Sequence, residues 1–155
     1  MVAEDNSVKI LDFGLSKGLQ DLQANTDQKS EITGTPYYMA PESFNTACFT
    51  EKSDIWALGV LLYILLSGYM PFPATTQEEL EVRVRSQDVN FRHKSFRKVS
   101  EEAKQLISSL LQKDGSKRPT AMQILDHPWF SKYAKSQKLT AEDLDLDQQV
   151  FHNLL

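Results

Sequence analysis

Ser53-Asp54-Ile55-Trp56-Ala57-Leu58-Gly59-Val60-Leu61-Leu62-Tyr63-Ile64-Leu65-Leu66-Ser67-Gly68 is the stretch on which the fold turns. It reads as one helix. Thr50 and Ser53 supply hydroxyls that can cap its start, and Gly68 can take the left-handed conformation that ends it. No residue from Ile55 to Leu66 is charged, so no helical angle shows a polar face. A helix that is apolar all round is buried or lies in a membrane. Crossing a bilayer takes roughly 20 apolar residues, more than this run offers. The helix is therefore expected to be the buried central rod of a helical core. Asp54, in its first turn, is the exception. The helix dipole favours a carboxylate there, yet burying one without partners costs several kcal/mol, on the order expected for a desolvated charge. Asp54 is expected to accept hydrogen bonds from a neighbouring loop.

The rest of the composition bounds the reading. A chain of 155 residues can hold one domain with a real core. A net charge of -4, with no long basic run, argues against nucleic acid as the main partner. Cys48 is the only cysteine, so an intramolecular disulfide is excluded, which fits a reducing compartment, cytoplasmic or also nuclear. Met1-Val2-Ala3-Glu4-Asp5-Asn6 has neither the basic head nor the apolar stretch of a signal peptide. No membrane span is expected.

Upstream of the rod, Val8, Ile10 and Leu11 give a short strand signal. Asp12-Phe13-Gly14 follows as a turn with an exposed carboxylate, and Leu15 and Ser16 can continue as a second short strand. Lys17 to Thr33 is a long polar loop, and a loop of that length in a compact domain is functional or disordered. Gly34-Thr35-Pro36-Tyr37-Tyr38-Met39-Ala40-Pro41-Glu42 closes it as a rigid, irregular segment.

Downstream, Tyr69-Met70-Pro71-Phe72-Pro73 is a proline-stiffened loop. Thr76 and Glu79 form a capping-box pattern for a half-buried helix to about Arg85. Glu78, Glu79 and Glu81 either attract basic substrates or form a solvated helix face; the second reading is favoured. Phe91-Arg92-His93-Lys94-Ser95-Phe96-Arg97-Lys98 reads as a solvated loop anchored by two buried rings. Ser100 caps a helix with Ala103, Leu106, Ile107, Leu110 and Leu111 at helical spacing. Thr120 caps another, with Ala121, Ile124 and Leu125 on one side. Residues 131–155 change character and form a separate extension. In it Thr140 starts a last helix, and its pattern is still running at Leu155, so the natural chain is expected to continue.

Asp12-Phe13-Gly14 alone is a common turn. It is followed, in order, by Ala40-Pro41-Glu42, Asp54-x-Trp56-x-x-Gly59 and Arg118-Pro119-Thr120. The set resembles the protein kinase family from just after its catalytic loop to the end of the domain, over about residues 5 to 130. The resemblance implies a mainly α chain: the C-terminal helical lobe of an α+β kinase fold, with a short β-hairpin remnant near Asp12. It implies a partial kinase domain over 1–130 and an extension over 131–155 that can serve as a regulatory junction helix.

By the same resemblance, Asp12 is the hard oxygen ligand for Mg²⁺ on the ATP phosphates. Phe13 and Gly14 complete the nucleotide-side motif, Gly14 by letting the backbone flip. Glu42 and Arg118 match an ion pair that ties the end of the activation loop to the helices. Asp54 matches the aspartate that takes backbone hydrogen bonds from the catalytic loop. Gly34-Thr35-Pro36-Tyr37-Tyr38 matches the segment that receives the substrate residue beside the phosphoacceptor, with Gly34, Thr35 and Tyr38 as its positioning residues, in a form similar to serine/threonine kinases. Thr26, Ser30 and Thr33 are candidate phosphosites, with a solvated hydroxyl as the equal alternative at each.

Leu11 to Lys17, Tyr38 to Glu42 and Asp126-His127-Pro128-Trp129-Phe130 look most like the calcium/calmodulin-dependent and calcium-dependent kinases, which implies calmodulin or an EF-hand regulatory domain as partner. Asp143-x-Asp145-x-Asp147 starts like an EF-hand loop but fails at Gln148 and Leu154. The three histidines, His93, His127 and His152, lack zinc-ligand spacing. The family's glycine-rich loop, strand lysine and catalytic loop are not in this sequence. The chain alone is expected to lack the catalytic base and nucleotide cradle and to need the missing N-lobe of its parent; the rival is a pseudokinase or docking module.

Overall fold

The computed structural model describes Phe13, Ser16 and residues 36–46 and 49–130, with the backbone alone at 45 and 46. A 3-10 turn at Pro36–Tyr38 leads to helix α1 (Ser43–Thr46), α2 (Glu51–Ser67) and α3 (Gln77–Ser86). A second 3-10 turn at Lys94–Arg97 precedes α4 (Glu101–Leu110), and a third at Gly115–Lys117 precedes α5 (Ala121–Leu125). No strand occurs among the described residues. The hairpin expected around Asp12 and the helix expected from Thr140 lie outside them. At Ser16 the backbone N–H and the hydroxyl both donate to the Phe13 carbonyl, at 3.0 and 2.6 Å.

Helix α2 is the long rod, and it starts two residues before the expected Ser53 because Thr50 is its N-cap. The Thr50 hydroxyl accepts the Lys52 N–H, and the Ser53 hydroxyl accepts the Thr50 N–H, both at 3.2 Å. Two orphan donors of the first turn are thus satisfied reciprocally. Gly68 ends the helix at φ 76°, its N–H returning to the Ile64 carbonyl at 2.7 Å. That backbone is strained for any residue with a Cβ.

Two apolar clusters form on two sides of the rod. Trp56, Val60, Tyr63 and Ile64 pack with Met39, Phe44, Phe72, Leu80, Val84, Phe96 and Ile107. Ile55 packs with Leu106, Leu110 and Ile124, with Leu62, Trp129 and Phe130 at the margin. Gly59 brings α2 and α4 together: a Cβ there would stand 2.8 Å from the Leu110 Cβ.

The remaining face corrects the expectation of burial all round. Leu58, Leu61 and Leu65 are 41, 43 and 40% exposed, and Asp54, one turn before Leu58, is exposed too. Positions 54, 58, 61 and 65 share one helical stripe, and no described element lies on it. Uniform apolar content says that neighbours are needed; it does not supply them.

The other helices form where caps and periodicity agree. On α4, Ala103, Leu106, Ile107, Leu110 and the following Leu111 are all buried, and the Ser100 hydroxyl accepts the Ala103 N–H. On α3, Leu80 and Val84 are buried while Val82 is 62% exposed. Thr76 accepts the Glu79 N–H, but the Glu79 carboxylate turns to Thr75 instead of completing the box at Thr76. Glu79 also pairs with Arg83, and Glu81 with Arg85, so two of the three α3 glutamates are already paired within the helix. On α5 only Ile124 is buried, and Leu125 is 62% exposed; a helix of five residues is too short for periodicity to fix a face. Phe96 is buried but Phe91 only half-buried, edge-on at 5.0 Å, so the basic loop between them is anchored by one fully buried ring rather than the two expected.

Candidate functional site

Pro36 and Pro41 keep the segment before α1 out of regular structure. Met39, Ala40 and Pro41 are buried there, which carries Glu42 to the mouth of α2. Arg118, 76 residues away, meets it at the turn after α4: its two terminal nitrogens donate to the two Glu42 oxygens at 2.7 and 2.8 Å. A guanidinium has five N–H donors in a fixed fork. The other three reach the carbonyls of Gln112 at 2.8 Å, Lys52 at 2.7 Å and Lys113 at 3.3 Å. The Arg118 side chain is fully buried, with its donors all used.

Further contacts tie this knot to α2. Lys52 Nζ donates to the Arg118 carbonyl at 2.6 Å. The Ser53 hydroxyl, already the acceptor for Thr50, donates to Glu42 Oε1 at 3.2 Å. Burial alone would push the Glu42 carboxyl up. The Arg118 hydrogen bonds, its own backbone N–H, the Arg118 charge and the Ser53 hydroxyl outweigh that and hold it below the ordinary carboxylate value.

The Trp56 ring lies beside the pair, with Arg118 Cζ 5.0 Å from its centroid. Phe72 stacks on Trp56 at 5.8 Å and 11°. Lys113 Nζ sits 4.3 Å from the Phe72 centroid and 5.0 Å from that of Trp56. This ammonium is shut off from solvent and has no hydrogen-bond partner among the described residues. Burial pushes its pKa down to about 8, with Asp88 pulling it up and Arg118 pressing it further down.

That geometry has a measurable consequence. The unfolded amine titrates near 10.5. Between about 8 and 10.5 the unfolded chain therefore binds more protons at Lys113 than the folded one. Stability rises with pH across that window, and the full penalty of the buried charge is present below it. Lys113→Met, a swap of similar length, is expected to stabilise the protein at pH 7 by about 1 kcal/mol, after discounting for partial solvation of the side chain and for ring attraction. The gain should shrink as pH rises toward 10.5. Paired urea unfolding curves from pH 7 to 10 check it; a Met variant no more stable at pH 7, or a gap that does not narrow, contradicts it.

Of the residues singled out from sequence, Asp12, Gly14, Gly34, Thr35, Thr26, Ser30 and Thr33 lie outside the described residues. Phe13 is 69% exposed. Tyr38 is half-buried against the first cluster. Glu42 and Arg118 are brought together, and Asp54 is not joined to them: its neighbour Ser53 makes the contact instead. Sequence reasoning assigned no role to Lys52 or Lys113, and to Tyr37 none beyond membership of the substrate-receiving segment. Tyr37 lies in a segment already marked, whereas Lys113 stands at the edge of a polar loop with no signal of its aromatic surroundings. Among the described residues no group of three His, Cys, Asp or Glu could hold a metal ion. No helix among them is long and apolar enough to cross a membrane.

The buried carboxylate–guanidinium knot joins the Ala40-Pro41-Glu42 and Arg118-Pro119-Thr120 signatures in space, and comparison with known proteins decides what they belong to. The family profile of the protein kinase domain matches residues 1–130. The chain belongs to the protein kinase family. It is 41% identical over 140 residues to the calcium and calcium/calmodulin-dependent serine/threonine-protein kinase of Lotus japonicus, covering 90% of this chain and 26% of that one. It is 40% identical over 149 residues to calcium-dependent protein kinase 3 of Plasmodium berghei, covering 96% and 26%. It is 43% identical over 139 residues to the calcium/calmodulin-dependent serine/threonine-protein kinase of Malus domestica, covering 89% and 32%. The chain thus spans between a quarter and a third of the length of these relatives. Its described part is the helical portion expected of a kinase C-terminal lobe.

Proposed function

We propose that this chain is the portion, from the nucleotide-side Asp12-Phe13-Gly14 motif onward, of a calcium-regulated serine/threonine protein kinase. The observation that carries the reading is the Glu42–Arg118 knot, which fixes the end of the loop after Asp12 to the mouth of α2. Substrate groups are received by Gly34, Thr35 and Tyr38. Asp12 is the hard oxygen donor suited to Mg²⁺ on ATP phosphates, and the metal would neutralise charge on the transferring group. Phe13 and Gly14 set how Asp12 is presented. Thr26, Ser30 and Thr33 are candidate phosphosites in the loop between.

The exposed stripe of Asp54, Leu58, Leu61 and Leu65 suits the same reading. Its leucines offer an apolar seat for the rest of the kinase domain, and Asp54 at its head offers a carboxylate to backbone N–H groups of the catalytic loop. The catalytic base and nucleotide cradle belong to that upstream part, so this chain alone is inactive. Calcium control would come through calmodulin or an EF-hand domain, with 131–155 as the junction. A cytoplasmic or nuclear setting fits such a kinase.

The test is phosphoryl transfer with Mg²⁺ and ATP. The full-length parent should label serine or threonine in a protein or peptide, lose activity when calcium is chelated, and leave tyrosine unlabelled. The isolated chain should show no turnover. Turnover by the chain alone overturns its assignment as an incomplete enzyme. A parent that binds partners but labels nothing supports the pseudokinase or docking reading instead.

A further inference from the structure

We propose that Tyr37 is a positioning residue for the protein substrate, its hydroxyl holding the Pro36–Tyr38 turn of the substrate-receiving segment at a fixed offset from the start of α3; this rests on the kinase reading above. The Tyr37 hydroxyl donates to the Ala74 carbonyl at 3.0 Å, across 37 residues of sequence.

Both ends of that bond are stiff. Tyr37 lies in the 3-10 turn Pro36–Tyr38, where the proline fixes one dihedral and the Met39 N–H closes on the Pro36 carbonyl at 3.1 Å. Immediately after Ala74, the Thr75 N–H and hydroxyl donate to Glu79 Oε2 at 2.8 and 2.9 Å. The Thr76 hydroxyl then accepts the Glu79 N–H at 3.2 Å, and Arg83 holds the other Glu79 oxygen at 2.6 Å. Ala74 is therefore the last link before a helix start held by the Thr76 cap and the Glu79 carboxylate. A bond between two stiff pieces fixes their offset, whereas the same bond between floppy pieces would fix little.

The ring and the hydroxyl have separable jobs. Tyr37 and Ala74 both pack, half-buried, against the first apolar cluster, and a phenylalanine ring would pack there as well. The hydroxyl adds direction. Tyr37 is one residue from Tyr38, which the kinase reading places against the substrate residue beside the phosphoacceptor.

Tyr37→Phe in the full-length parent tests the assignment through peptide kinetics. Loss of one neutral hydrogen bond, converted from about 1 kcal/mol, is about fivefold. The peptide KM should rise by about that factor, with kcat and the KM for ATP unmoved. Preference among peptides that differ only at the residue after the phosphoacceptor should flatten. Replacing Tyr37 by 4-aminophenylalanine, which restores an N–H donor on the same ring, should return the KM. An active parent in which the peptide KM and ranking stay put overturns this assignment alone. A fall in kcat together with a rise in both KM values also overturns it, because that marks a general structural role. A parent that labels no peptide before substitution overturns the kinase reading and this assignment with it.

Discussion

Arg118→Met is expected to destabilise the protein by about 3–5 kcal/mol, the cost of stranding a buried charge and its partners. The substitution keeps most of the volume, so packing changes little. What it removes is five donors at once. Glu42 loses both bidentate bonds, and the carbonyls of Gln112, Lys52 and Lys113 lose theirs. The Glu42 side chain keeps 31% exposure, so water re-solvates part of the carboxylate and places the loss nearer the lower end of that range. Arg118→Lys should recover little, because an ammonium is a point charge and cannot reproduce the fork. Because stability is a small difference between large terms, Arg118→Met can leave no folded protein to measure. Glu42→Gln then gives the graded result: it keeps the shape and one acceptor, and should cost about 1–2 kcal/mol, as expected for losing the charge from a hydrogen bond. Urea midpoints at pH 7 read both. The wild type should also lose this margin in acid. The Glu42 pKa is held below its ordinary 4.5, so its contribution is complete above 4.5 and disappears as pH falls through the folded value. Glu42→Gln should show no such acid loss. If Arg118→Met unfolds at a urea midpoint close to wild type, the knot is an ordinary surface pair and does not anchor the loop.

The parts of this site that the sequence exposed are the parts whose physics is local. Thr50, Ser100 and Thr120 mark helix starts because a capping hydroxyl acts within three residues. The buried side of α4 follows from spacing alone. Gly68 ends α2 because only the backbone at that one position matters. Glu42 and Arg118 were legible through the short signatures around them, although their acceptors at Gln112, Lys52 and Lys113 were not: carbonyls carry no side-chain identity. The exposed stripe at Leu58, Leu61 and Leu65 was misread because the helix's own sequence fixes its demand for burial but not the number of elements that meet it. Asp54 was read as a carboxylate in need of partners, and it stands exposed at the head of that same uncovered face. Lys113 was invisible for a different reason. Its cage consists of Trp56 from the rod and Phe72 from a proline-stiffened loop, which only the fold brings to one place.

The same division between local signature and distant partner sets the expectation for Asp12. In the full-length parent, Asp12→Ala should reduce phosphoryl transfer by more than about a hundredfold, the scale on which a single group stabilising transition-state charge is felt. Methyl for carboxylate removes the only side-chain oxygens, and the only negative charge, in Asp12-Phe13-Gly14, and Mg²⁺ favours such hard anionic oxygens. The loss should fall on kcat and on the Mg²⁺ requirement, with peptide KM little changed, because Tyr37, Tyr38 and the Glu42 knot are untouched. Asp12→Asn separates charge from shape: it keeps an oxygen but not the negative charge, so it should remain severely impaired and improve only as Mg²⁺ is raised. Thermal unfolding of the two variants should match the parent within a few degrees, which is the shift that about 1 kcal/mol produces in a domain of this size. A parent that keeps full transfer rate after Asp12→Ala removes the metal role from this position. The Glu42–Arg118 knot would then mark a kinase scaffold whose chemistry is done by other groups.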